Sequence, residues 1–93
     1  MTTESDQRFR AVLQVHARRF DGELIVLDLG AGKYFSLDEV GAAIWERLNK
    51  GMTPGEVVGE LADLYEVDAQ TLGADVRRLA GELVAAGLIE PQS

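Results

Sequence analysis

Few residues in this sequence have side chains that do chemistry, and those few stand at spacings that suit structure. No Cys is present, which excludes disulfides, thiolate metal ligands and thiol nucleophiles. A single His16 leaves almost nothing for a zinc site or a His-centred catalytic dyad. The paired acids Asp38-Glu39 have the right type for acid–base work, but they stand at an expected helix start, where negative charge complements the helix dipole. Asp28 closes an apolar run and reads as a turn-facing carboxylate. Gly30-Ala31-Gly32 is too short to cradle a phosphate, and a hairpin turn explains it. The chain is therefore expected to hold no catalytic residue, no metal and no cofactor.

Two further spacings concern modification and nucleic acid. Ser36-Leu37-Asp38-Glu39-Val40 resembles the serine motif of acyl carrier proteins, which are also small and acidic. In those all-helical proteins an Asp immediately precedes the modified Ser at a helix start. Here Phe35 precedes Ser36 and the upstream run is strand-like, so Ser36 reads as a helix cap, with a carrier modified on Ser36 as the alternative. The helices between Thr53 and Ala86 could form a helix-turn-helix, yet the last one exposes a mixture of Asp75, Arg77, Arg78 and Glu82. From Thr53 to Glu90 there are eight acids against two arginines, within a whole-chain charge of −7. A reader of DNA needs the opposite sign on that surface, so no nucleic acid is expected as a partner. An acidic, solvated face explains the charge.

The elements that must position these residues fall in two halves. From Phe9 to Leu37 the chain favours strands, punctuated at Asp21-Gly22 and Gly30-Ala31-Gly32. Asp-Gly is a strong hairpin signal, because such turns require positive φ. The strand over Glu23–Leu29 is apolar on both faces and reads as central; Lys33–Leu37 reads as a short third strand at an edge. After Leu37 everything reads as helix. Ser36 and Glu39 have capping-box spacing, with Asp38 as a competing cap; Leu37, Val40, Ile44 and Leu48 form the stripe, and Gly51 ends it. Thr53, Pro54 and Glu56 open a second helix with the stripe Val57, Leu61, Leu64, ending near Tyr65. Asp68 opens the third, with the stripe Leu72, Val76, Leu79, Leu83; Gly87 stops it and Leu88 and Ile89 fold back as apolar cover. The order is βββααα: an α+β, winged-helix-like domain with a three-stranded antiparallel sheet followed by three helices. Its expected limits are residues 9–90, after a disordered lead-in over residues 1–8.

The third strand is the unusual element. An edge strand leaves a row of amides and carbonyls unpaired, and natural sheets blunt such edges. This one is apolar and aromatic, with only Lys33 as a guard. If the last helix lies alongside, edge and helix make a groove into which an extended peptide could add as a strand. Apolar pockets must supply the specificity, since each backbone hydrogen bond is worth only about 1 kcal/mol net. Candidate peptide-contacting residues are Lys33, Tyr34, Phe35 and Ser36 on the strand and Asp75, Val76, Arg78 and Leu79 on the helix. Leu83 reads as plain core.

With 93 residues and an apolar fraction of 46%, the chain suffices for one small domain. It has no long apolar run and no basic-then-apolar N-terminus, so it is expected to be cytoplasmic and to have no membrane partner.

The run Leu24-Ile25-Val26-Leu27-Asp28, then Gly32-Lys33-Tyr34-Phe35-Ser36-Leu37-Asp38-Glu39-Val40-Gly41-Ala42-Ala43-Ile44-Trp45-Glu46, resembles the PqqD-like family. Gly51-Met52-Thr53, Asp75-Val76 and Leu83–Leu88 fit the same pattern, so the resemblance spans Val12 to Ile89. Its form is most similar to the stand-alone leader-recognition proteins of lasso-peptide biosynthesis. The resemblance implies a precursor-peptide recognition element, which binds the leader of a ribosomally made precursor (a RiPP) as an antiparallel strand between the third strand and the last helix. An aromatic, a proline and a leucine of the leader would be the anchors. The partners it implies are that leader, a separate leader protease and a macrolactam cyclase. A peptide chaperone for pyrroloquinoline quinone, or for another RiPP pathway, is the alternative. No catalytic residue carries over from the family.

Overall fold

The computed structural model, which describes residues 7–12, 15–30 and 32–92, places a helix at each of the three expected starts. Four strands come first: β1 (Arg8–Ala11), β2 (Val15–Phe20), β3 (Glu23–Asp28) and β4 (Lys33–Leu37). Helices α1 (Glu39–Asn49), α2 (Pro54–Tyr65) and α3 (Ala69–Ala85) follow, and β5 (Ile89–Gln92) ends the chain. Of the lead-in expected over residues 1–8, all but Gln7 and Arg8 lies outside the described residues.

Each helix is closed at its N-terminus by a side-chain oxygen that satisfies an otherwise orphaned amide. At α2 the Thr53 hydroxyl accepts from the Glu56 amide (3.2 Å) and the Glu56 carboxylate accepts from the Thr53 amide (2.9 Å), a complete capping box. Asp68 caps α3 by accepting from the Thr71 amide at 2.9 Å. At α1 the cap is Asp38, which accepts from the Gly41 amide at 2.8 Å. The competing expectation at Ser36 is corrected: Ser36 belongs to β4, and its hydroxyl donates to the Glu23 carboxylate at 2.6 Å. A Cβ on Gly41 would stand 3.2 Å from the Asp38 carboxylate, so the bare glycine leaves room for that cap.

β2, β3 and β4 form the expected antiparallel meander, with β3 central. The structure adds a second sheet: β1 pairs antiparallel with β5, Phe9 opposite Pro91 and Ala11 opposite Ile89. Leu88 and Ile89 are fully buried, as expected of apolar cover, but Ile89 also begins that strand. The inner side of the small sheet is apolar, whereas Arg10 meets Glu90 directly opposite in an ion pair of 2.9 Å on the outer side.

One core joins both halves. Val26 from β3, Leu48 from α1, Val57 and Leu61 from α2, and Val76 and Leu83 from α3 have no exposed surface. The α2 stripe needs one correction, since Leu64 is 61% exposed. Buried positions on α2 centre on Leu61 and drift towards Val58, Ala62 and Tyr65, which leaves Leu64 at the margin of the face, in the last turn.

Candidate functional site

The phase of backbone hydrogen bonding across the meander follows from its first turn. Asp21 and Gly22 have φ of 55° and 84°, the two-residue turn with positive φ at both positions that matches the twist of the flanking strands. Its flanking residues Phe20 and Glu23 are opposite each other and form the closing hydrogen-bonded pair. By alternation, Glu23, Ile25 and Leu27 direct their amides and carbonyls to β2, whereas Leu24, Val26 and Asp28 direct theirs to β4. The β4 residues opposite those three are Leu37, Phe35 and Lys33. Tyr34 and Ser36 therefore turn their backbone groups to the open edge. With one donor and one acceptor per residue, the edge offers about four hydrogen bonds to a guest strand.

The second turn holds β4 in place. The Asp28 carboxylate accepts from the Gly30 amide at 3.0 Å, and the Asp28 carbonyl accepts from the Gly32 amide at 2.8 Å. Asp28 is both turn-facing and buried, and it braces the loop that delivers Lys33 to the edge.

An open groove of about 760 Å³ runs beside this edge. On the sheet side it is lined by Glu23, Phe35, Ser36 and Leu37. Its floor is the start of α1, through Val40, Gly41 and Ile44. The far wall is one stripe of α3, Leu72, Asp75, Arg78, Leu79 and Glu82, whose spacings of three and four put them on one face. Thr71, Tyr65 and Val67 close the end at the α2–α3 corner. Apolar side chains make the floor and charges make the rim. On the rim Arg78 lies between Asp75 (3.6 Å) and Glu82 (3.4 Å), exposed pairs that orient one another but add little stability.

The candidates from sequence divide here. Phe35, Ser36, Asp75, Arg78 and Leu79 come together in the groove. Tyr34 points its side chain to the opposite face of the sheet, 67% exposed, and contributes only backbone to the edge. Lys33 is exposed at the start of β4, outside the groove lining. Val76 is fully buried. Reasoning from sequence missed the floor, because Val40 and Ile44 read as core, and missed the corner at Tyr65 and Val67. Val67 did carry a signal: it is an apolar residue between two polar ones in a tight interhelical turn, and it is 43% exposed.

The other sheet edge is guarded differently. β2 carries Arg18 and Arg19, both exposed; such charges discourage strand addition. Among the described residues no group of His, Asp or Glu side chains is arranged to hold a metal ion. No helix of the described residues is long and apolar enough to cross a membrane.

A three-stranded antiparallel sheet whose β4 edge is faced by the last of three helices across an apolar groove gives a winged-helix-like α+β fold. The family model of coenzyme PQQ synthesis protein D (PqqD) matches residues 23–89, and the chain belongs to that family. Two solved structures are similar over nearly all of it. One, described as TbiB1 in complex with the TbiA(beta) leader peptide, is 33% identical with a TM-score of 0.80, covering 90% of this chain and 98% of that one. The other, lasso peptide synthetase B1 complexed with the leader peptide, is 28% identical with a TM-score of 0.81, covering 90% and 99%. No curated protein matches the chain.

Proposed function

We propose that this protein is a non-catalytic module that captures the leader segment of a ribosomally synthesised precursor peptide. The leader adds as an antiparallel strand to β4 and drops alternate side chains into the groove against α3. The observation that carries this reading is the open Tyr34–Ser36 edge facing the Leu72–Glu82 stripe across an apolar floor. Both similar solved structures are described as leader-peptide complexes, which supports the same ligand class here. Edge hydrogen bonds fix the direction and register of the guest but not its identity, and Val40, Ile44, Leu72 and Leu79 offer apolar side chains a place to be buried. This suits a leader anchored by aromatic and aliphatic residues.

The captured leader is then presented to a separate leader protease and to a macrolactam cyclase in lasso-peptide biosynthesis. The protein contributes binding alone, in the cytoplasm, with no cofactor. A second reading, a peptide chaperone for pyrroloquinoline quinone synthesis, is favoured by the name of the matching family model. Titrating labelled leader peptides from the two kinds of precursor into the protein, with fluorescence anisotropy as the readout, separates them. Saturable binding of a lasso leader, and none of a quinone-precursor peptide, is expected; the reverse preference would favour the second reading, and binding of neither would overturn both. The acyl-carrier alternative loses its basis, because Ser36 lies inside a strand with its hydroxyl bonded to Glu23.

A further inference from the structure

Five charged side chains line the groove, and they are not evenly answered. On α3, Arg78 stands between Asp75 at 3.6 Å and Glu82 at 3.4 Å, so these three offset one another. The other two, Glu23 and Asp38, are exposed and make no ion pair among the described residues. One carboxylate oxygen of Glu23 accepts from the Ser36 hydroxyl at 2.6 Å, and one of Asp38 accepts from the Gly41 amide at 2.8 Å. The second oxygen of each has no partner among the described residues. Both belong to one end of the edge strand. Leu24 lies opposite Leu37 in the last pair of the β3–β4 ladder, and Glu23 and Asp38 come next on the two sides. At the other end of β4 stands Lys33, exposed and without an ion pair among the described residues. Asp28 lies opposite it in the ladder, with its carboxylate turned to the Gly30 amide. The charge along the edge therefore changes sign, negative at Leu37 and positive at Lys33.

We propose that this polarity selects the charge pattern and the direction of the captured segment: a basic side chain on the N-terminal side of its apolar anchors, set beside Glu23 and Asp38. The inference rests on the leader-capture reading above and adds to it the chemistry of the guest. β4 runs from Lys33 to Leu37, so a strand added antiparallel begins beside Leu37 and ends beside Lys33. A Lys or Arg near its start meets two carboxylates. Run the other way, the same peptide sets its cation against Lys33. An open edge can pair with a strand of either direction, so a like charge at the wrong end helps to exclude one of them. The α3 wall, with two acids to one arginine, does not oppose the preference. Two exposed carboxylates hold no ligand by themselves; they act here on a peptide that the edge and the apolar floor already bind. Exposed charge pairs contribute little and are screened over about 8–10 Å, which is enough to rank guests and too little to capture one.

The test uses the full chain and a synthetic lasso-precursor leader, with a set of leader variants carrying Lys or Glu at one position at a time. Affinities are measured for wild type and for the double variant Glu23→Gln, Asp38→Asn. Gln can still accept from the Ser36 hydroxyl and Asn caps a helix as well as Asp, so the double variant should change the melting temperature little and still bind the leader. On wild type, Lys should bind about three- to ten-fold tighter than Glu at positions N-terminal to the apolar anchors, and the preference should fall away towards the C-terminal side. It should collapse in the double variant and, on wild type, at high salt. Equal affinity of Lys and Glu peptides at every position, or a preference that the double variant retains, would overturn the assignment of Glu23 and Asp38. A preference for Lys on the C-terminal side of the anchors would overturn the direction. A wild-type protein that binds none of the peptides would bring down the capture reading itself, a result distinct from all of these.

Discussion

Phe20 and Glu23 face each other across the Asp21-Gly22 turn, and that one closing pair sets which backbone groups of β4, two strands away, face outward. Tyr34 and Ser36 are the outward set; Lys33, Phe35 and Leu37 are bonded to β3. Proline removes one amide donor, so its effect should alternate along the strand. Tyr34→Pro and Ser36→Pro are expected to weaken leader binding with a modest change in melting temperature, and Phe35→Pro to destabilise the fold by breaking the β3–β4 ladder. Alanine at the same positions controls for the side chain. Thermal melts beside leader titrations distinguish the two patterns.

Buried positions and groove positions should separate in the same pair of measurements. Leu61 is fully buried away from the groove, and Leu61→Ala should cost about 2–5 kcal/mol of stability while the folded fraction keeps its leader affinity. Val76→Ala should behave likewise, at on the order of 2 kcal/mol, because its side chain is inside the core. Val67 is half-exposed at the end of the groove, and Val67→Ser should lower leader affinity by about three- to ten-fold with little change in melting temperature.

The capping box at α2 should leave a mark in acid. The backbone amide of Thr53 donates to the Glu56 carboxylate and, with Arg8 close by at 3.1 Å, holds its pKa below the usual carboxylate range. A folded-state pKa below the unfolded one means stability that is present above the unfolded value, near pH 4.3, and lost as pH falls through the folded value. Glu56→Gln should therefore melt below wild type at neutral pH and converge with it in acid. A gap that persists unchanged into strong acid would mean the loss is one of shape and not of charge.

How far the sequence reaches depends on whether the signal is local. Caps and turns are local, so the β2–β3 hairpin and all three helices stand where Asp21-Gly22, Asp38, Thr53-Pro54 and Asp68 put them. The β1–β5 sheet is not local: Arg10 meets Glu90 across 80 positions, and β5 contains a proline that reads as a stop. What holds that sheet is the burial of Phe9 and Ile89 in a core that only the finished fold creates. The groove divides in the same way. Its edge strand was legible from composition, but α3 packs on the core along one side and lines the groove along another, and periodicity alone does not separate Val76 from Leu79. Tyr34 shows the equivalent limit in a strand, where side chain and backbone of one residue serve different surfaces.

Strand addition at β4 is tested most directly by amide hydrogen exchange, read residue by residue by NMR with and without saturating leader. A guest strand must accept from the outward amides and no others on β4. Exchange at Tyr34 and Ser36 should slow at least ten-fold on leader binding, while Phe35, already bonded to β3, should change little. Unaltered exchange at Tyr34 and Ser36 in fully bound protein would contradict strand addition and place the leader elsewhere on the fold.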